Sequence, residues 1–217
     1  MVITYYGISC FKVQSGDTVL AFDPPSKKSG VKAPRFQADV VLVSHNHDNH
    51  NGVDNMTSKD KGEKDFFLID GPGEYEAKGM FVQGIQTFHD QESGKKHGLN
   101  SVYVVNFENI DFCFLGDFGE KELRAETRES IGDVDVLFVP IGGESVTDIR
   151  DIIKIINQIE PKVVIPMHYM MGDQKQADKT LSNFLKELGQ DKIVPVDKFT
   201  FKKKDILDKK GEVVVLK

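Results

Sequence analysis

Short runs of apolar residues fill the first half of the chain, and a three-to-four-residue apolar rhythm appears in the second. "ISCFKVQ" and "TVLAFD" flank Ser15-Gly16-Asp17, a pattern that predicts two strands joined by a hairpin turn. "DVVLVS", "DFFLI", "MFVQGIQTF", "SVYVVNF" and "DFCFL" each predict a further strand, separated by glycine, proline, asparagine and aspartate. Between them "GPGEYEAKG" reads as a tight surface turn, with Glu74 and Glu76 solvated rather than forming an acidic site.

Ile149, Ile152, Ile153 and Ile156 fall at i, i+3, i+4 and i+7, one face of an amphipathic helix. Ser145 with Asp148 supplies an N-terminal capping pattern, and Pro161 forces the stop. Leu181, Phe184, Leu185 and Leu188 repeat the spacing, with Gly189 as C-terminal cap. Between the two helices, "KVVIPMHY" predicts a short buried strand ending at His168. Strands followed by helices mixed with strands imply an α/β protein whose sheets carry helices on their outer faces. No stretch has the composition of a linker, repeat or low-complexity segment, so 1–217 is expected to be a single domain.

Composition narrows the function. A formal charge of −6 argues against a nucleic-acid backbone as the main partner. Lys202-Lys203-Lys204 does not overturn this, because Asp205 and Asp208 follow, and a solvated face explains the run. Cys10 and Cys113 lie beside phenylalanine in apolar runs, outside any C-x-x-C pattern, so they are expected to be buried free thiols rather than ligands. The chain has neither a basic-then-apolar N-terminus nor 18 consecutive apolar residues, so no signal peptide, no membrane span and a cytoplasmic location are expected.

The candidate chemistry lies in histidines. His45, His47 and His50 occupy six residues of "SHNHDNHNG", just past a predicted strand end. A loop leaving a strand can turn several side chains to one point, and imidazole suits zinc and similar divalent ions. The plain alternative is a polar, histidine-rich surface loop. His89 after "GIQTF", Asp117 after "FCFLG" and His168 after "VVIPM" share the same placement at strand ends. Any one alone reads as a hydrogen-bonded structural residue; four such segments together favour a site at one sheet edge.

"SHNHDNH", followed in order by His89, "LGD" and "PMHY", resembles the metallo-β-lactamase superfamily, whose signature is H-x-H-x-D-H with a separated His, Asp and His. "YYGISCFKV", "FDP", "DGPGEYEAKGM", "GIQTFHD" and "VDVLFVPIGG" look like the branch of small bacterial hydrolases that includes the ascorbate-6-phosphate lactonases. The resemblance implies a four-layer αβ/βα sandwich with its site at one edge. It implies one metal held by His45, His47 and His89, a second held at the position of Asn49 with His50 and His168, and Asp117 bridging the two. It gives Asp23 the task of supporting the histidine loop. The implied cofactor is one or two divalent ions, zinc or alternatively manganese. The implied chemistry is metal-assisted hydrolysis of a small-molecule lactone, ester, amide or phosphodiester, with activated water as nucleophile.

The chain departs from that pattern at Asn49, where the family has aspartate. An amide oxygen can coordinate a cation but brings no negative charge, so the second metal site is expected to be the weaker. Asp48, one residue early, points elsewhere in either a helix or a strand. Phe114, Glu120 and Ile8 stand where relatives carry histidine; core packing for Phe114 and a solvated charge for Glu120 are the plain readings. Two functions therefore stay open: a metal-dependent hydrolase, alone or as an oligomer, or a non-catalytic metal-binding or structural descendant acting through a partner or ligand.

Overall fold

The computed structural model describes residues 1–32, 34–57, 66–142, 146–169, 174–190 and 192–217. The first sheet is built from β1 (Val2–Tyr5), β2 (Phe11–Ser15), β3 (Thr18–Phe22), β4 (Val40–Leu42) and β5 (Phe67–Ile69), closed on one side by β12 (Phe199–Thr200). Its order is β12-β1-β2-β3-β4-β5, antiparallel through β3 and parallel from β3 to β5. The predicted hairpin is present: Ser15 pairs with Thr18, and Gly16, at φ 53°, supplies the left-handed backbone of a two-residue turn.

The second sheet comprises β6 (Gly73–Ala77), β7 (Met80–Phe88), β8 (Leu99–Phe107), β9 (Ile110–Phe114), β10 (Val136–Pro140), β11 (Val163–Met167) and β13 (Glu212–Val213). Its order is β13-β11-β10-β9-β8-β7-β6. β7 and β9 both run antiparallel to β8, while β10 and β11 run parallel to β9. Strands β7, β9, β10 and β11 therefore point the same way, and their carboxyl ends share one edge. That topology places the residues after Phe88, Phe114, Pro140 and Met167 together.

The two mixed sheets pack face to face as an α/β sandwich. Phe22 stacks on Phe114 at 4.6 Å between centroids, and Phe11 meets Phe138 at 4.6 Å, all four rings being buried. Burying each ring stabilises the fold by about 2–3 kcal/mol. Phe114 is thus a core residue, as its setting in "DFCFL" predicts. Cys10 and Cys113 are buried free thiols, also as expected.

Helices α1 (Ala125–Ile131), α2 (Ile149–Ile159) and α3 (Gln174–Glu187) all belong to the second half. α2 buries Ile152, Ile155, Ile156 and Ile159, with Ile149 packed against the same core. Asp148 is its N-cap, accepting the Arg150 N–H; Ser145 lies outside the described residues. The helix ends at Glu160 in the left-handed region, directly before Pro161. Gly189, at φ 68°, terminates α3 as predicted. A second apolar cluster backs the first sheet, with Val19, Ala21, Val41 and Val43 covered by Ala38, Met56, Phe36, Val53 and Phe66. Ala38, Met56, Phe36, Val53 and Phe66 come from the segments flanking β4, without a long helix among the described residues.

One expectation is corrected. "GPGEYEAKG" is not a turn throughout: Gly73–Ala77 forms β6, the edge strand paired with β7. The turn is only Lys78-Gly79, both at positive φ, a two-residue hairpin connection. Tyr75 and Ala77 are the more buried positions of a strand whose Glu74 and Glu76 face solvent, and the charges concealed the alternation.

Candidate metal centre

The strand ends converge as the histidine spacing suggests. Three imidazole Nε2 atoms lie within hydrogen-bond reach of one oxygen, Asp117 Oδ2: His89 at 3.1 Å, His168 at 3.2 Å and His50 at 3.3 Å. His45 Nε2 stands 3.9 Å from the same oxygen. His47, more exposed, completes the group, its ring 6.0 Å from that of His45 and 5.9 Å from that of His50. Ligand atoms of His45, His89 and Asp117 lie within 4.8 Å of one another, as do those of His50, Asp117 and His168, and those of His45, His47 and His50.

Three of the rings are held from behind. Asp23, fully buried at the end of β3, accepts the Ser44 N–H at 2.7 Å, the Ser44 hydroxyl at 2.6 Å and His50 Nδ1 at 2.9 Å. Ser44 Oγ lies 3.0 Å from His45 Nδ1, so one carboxylate braces two imidazoles. His168 Nδ1 donates to the Gly142 carbonyl at 2.7 Å, and the His168 N–H to the Ile8 carbonyl at 2.7 Å. In each case Nδ1 is engaged on the far side of the ring and Nε2 faces the centre, the arrangement metal-ligating histidines adopt. Asn100, 1% exposed, accepts the Asp117 N–H at 3.0 Å while its amide donates to Thr87 Oγ1 and the Leu115 carbonyl.

Close backbone approach supports this geometry. A Cβ on Gly116 (φ 57°) would fall 2.4 Å from Asn100 Oδ1, and one on Gly119 would fall 2.3 Å from the His89 carbonyl carbon. Asp23 (φ 41°) and His168 (φ 61°) also occupy the left-handed region, strain that the surrounding hydrogen bonds sustain.

The electrostatics are those of a concentrated charge site. Burial disfavours ionisation of Asp117, yet His50 and His168 outweigh it and hold the carboxyl well below its ordinary range. Burial also opposes charge on His50, but Asp117 and Asp23 overcome that penalty and push it up to about 10. Burial and then the charge of His50 hold His45 down to about 3. Asp117 Oδ1 is buried without a hydrogen-bond partner. An ionised carboxylate with one unpaired oxygen among five imidazoles fits the donor set of a divalent cation.

All six predicted His and Asp positions are thus brought together, and Asn49 stands half-buried in the same loop, its N–H donated to His47 Nδ1 at 3.2 Å. Asp48 is turned outward to Ser26 Oγ at 3.2 Å, so it does not substitute for Asn49. Glu120 differs from the expected solvated charge: its Oε1 accepts the Phe88 N–H at 3.1 Å and its Oε2 pairs with Arg124 Nε at 3.3 Å. The backbone amide beside His89 gave it a partner. Sequence reasoning missed Ser44, Asn100 and the carbonyls of Ile8 and Gly142. Ser44 was detectable as a hydroxyl flanking His45, whereas backbone acceptors leave no trace in side-chain identity. Beside His89 opens a cleft of about 190 Å³ lined by Asp90, Gln91, Lys96, His97 and Gly119.

Comparison with known proteins agrees with this geometry. Residues 2–168 match the family model described as the β-lactamase superfamily domain. A protein from Thermotoga maritima assigned to the Zn-dependent hydrolases of the metallo-β-lactamase superfamily is similar in structure, with TM-score 0.75 and 30% identity, covering 99% of this chain and 97% of its own. A UPF0173 metal-dependent hydrolase from Pyrococcus horikoshii is 26% identical over 201 residues, 81% of this chain and 88% of that protein. Another from Listeria welshimeri is 27% identical over 198 residues, 78% of this chain and 85% of that protein. In sequence, in fold and in the placing of its histidines, this chain belongs to the metallo-β-lactamase superfamily.

Proposed function

We propose that this chain is a metal-dependent hydrolase acting on a small molecule through a lactone, ester, amide or phosphodiester bond. The observation that carries the reading is the gathering of His45, His50, His89 and His168 around Asp117, whose second oxygen is buried and unpartnered. His45, His47 and His89 would hold one ion, and His50, His168 and Asn49 a second, with Asp117 between them. Divalent ions bound there, zinc in the first instance and manganese as the alternative, would lower the pKa of water and stabilise negative charge on the substrate.

The chain's own residues do the positioning. Asp23 fixes the ring of His50 directly and that of His45 through Ser44, and the Gly142 carbonyl fixes that of His168. Asp117 stays ionised beside both ion positions, and the cleft along Asp90 and His97 leaves room for a small substrate. Asn49 offers a neutral oxygen where a carboxylate would add charge, so the second position is the weaker one. Among the described residues no helix is long and apolar enough to cross a membrane.

Elemental analysis of purified protein, with assays on a lactone, an ester, an amide and a phosphodiester, tests the reading; the likeness to ascorbate-6-phosphate lactonases puts lactones first. Turnover that disappears on chelation and returns with zinc or manganese supports it. Bound metal without turnover on any of the four favours the non-catalytic descendant that Asn49 suggests. Absence of tight metal binding sinks the hydrolase and leaves only a structural descendant of the fold.

A further inference from the structure

The turn between β1 and β2 is strained at an unexpected residue. Ile8 is β-branched, 1% exposed, and sits at φ 54°. The left-handed region is unfavourable for any residue with a Cβ, and a β-branched side chain is a clear outlier there. Something must hold it. The Ile8 carbonyl accepts two hydrogen bonds, from the Tyr5 hydroxyl at 2.6 Å and from the His168 N–H at 2.7 Å. Tyr5 is itself fixed, its ring stacked on Phe11 at 4.7 Å and on Tyr169 at 6.1 Å between centroids. Tyr169, next to His168, anchors to the Leu216 carbonyl at 2.9 Å.

We infer that Tyr5 is a positioning residue for His168: its hydroxyl clamps the strained Ile8 carbonyl in the place from which that carbonyl orients the His168 backbone. The inference rests on the proposed role of His168 as a metal ligand. His168 is at φ 61°, so its ring direction depends on backbone contacts at both ends of the residue. The Gly142 carbonyl governs the ring, and the Ile8 carbonyl governs the amide. Without the Tyr5 hydroxyl, the Ile8 carbonyl would keep only the hydrogen bond from His168, and the turn bonds Tyr6 N–H to Cys10 and Cys10 N–H to Gly7 do not hold that carbonyl itself. The turn would then drag the amide, and the ring with it, away from Asp117. A glycine at position 8 has no such strain to release, so Tyr5 and Ile8 must be energetically coupled.

The test compares Tyr5→Phe, which keeps the ring stacks, with Ile8→Gly and the double variant. Cobalt(II) titration followed by ligand-field absorbance reads the two cation positions separately. Tyr5→Phe is expected to weaken the second, His168-containing position about 10-fold, the scale on which supporting residues act on metal ligands. In the Ile8→Gly background the same change should have a smaller effect. In metal-free protein, exchange of the His168 Nδ1 proton, followed by nitrogen-edited NMR of the rings, should be faster in Tyr5→Phe. A Tyr5→Phe protein with lower melting temperature but unchanged cobalt affinity and unchanged His168 exchange would overturn the inference and leave Tyr5 a packing residue. An equal effect of Tyr5→Phe in both backgrounds would overturn the coupling through Ile8. Should the unmodified protein bind no cobalt, the functional proposal fails, while the exchange measurement still decides the role of Tyr5.

Discussion

At the scale of single residues, Asn49 separates this chain from the family pattern. Its loop is otherwise intact, with His45, His47 and His50 facing the same centre and Asp48 turned to Ser26. In the proposed arrangement, replacing Asn49 with aspartate would place a negative charge beside a cation at the second position, where little solvent would screen it. The unmodified protein should retain close to one metal ion after dialysis, and Asn49→Asp close to two, as measured by elemental analysis. Two ions in the unmodified protein would show that the amide is no handicap; one in the variant would move the defect to Phe114 or Glu120. His47→Ala should remove most of the tightly bound metal, because two imidazoles seldom suffice for zinc. Retention of a full equivalent would assign that ion to His45, His89 and Asp117 alone. Ser9 offers a different test. Its hydroxyl is fully buried with no hydrogen-bond partner, so Ser9→Ala should leave stability unchanged or raise it by up to about 1 kcal/mol. A loss of more than that in denaturant melts would mean the hydroxyl has a partner.

At the scale of elements, the strand register places the site and buried polar clamps hold the register. Asp135, 2% exposed just before β10, accepts the Asp111 N–H of β9 at 2.9 Å and Lys162 Nζ, next to β11, at 2.6 Å, and pairs with Lys203. It ties together the amino-terminal side of the three strands whose opposite ends carry or flank Asp117, Gly142 and His168. Burial opposes its charge, but Lys162 and Lys203 prevail and hold its pKa below the ordinary value. A depressed carboxyl pKa contributes stability that is present above the unfolded value of about 3.9 and lost as pH falls through the folded value. Asp135→Asn should therefore cost about 2 kcal/mol at pH 7, and the difference from the unmodified protein should shrink below about pH 4. Urea melts at pH 7 and pH 3 measure both; a gap that stays constant would show that the charge of Asp135 is not the source. The elements differ in how far their sequences reveal them. α2 and α3 are legible because isoleucine and leucine mark one face, β7 and β8 because they are long, and β9 because it is mostly apolar. β6 escaped because both its outward positions are glutamates, and β12 and β13 because two residues carry no periodicity.

At the scale of the whole molecule, the candidate site stands on a core that does not need it. The histidines were legible because His89 and His168 follow directly on strand ends and His45, His47 and His50 crowd the loop after β4. Asn100, Gly142 and Ile8 were not, because what they contribute is a buried amide and two backbone carbonyls whose value depends on strands distant in sequence. Beside these buried groups, the apolar cluster running from Ile3 through Phe22, Phe114 and Phe138 to Leu216 spans both sheets and the helices. A chain of 217 residues buries enough surface to fold on that cluster alone, unlike a zinc finger whose metal supplies the folding energy. Metal bound at a thousand times its dissociation constant adds about 4 kcal/mol to the folded state, and each kcal/mol moves the melting temperature of a chain this size by about 2–4 °C. Chelation should accordingly lower the melting temperature by about 10 °C while leaving the far-ultraviolet circular dichroism at 25 °C unchanged. Re-addition of zinc should restore the original transition. Complete unfolding on chelation would mean that Asp117, buried and ionised with one oxygen unpartnered, destabilises the metal-free molecule by more than the core supplies, and the centre would then be structural rather than catalytic.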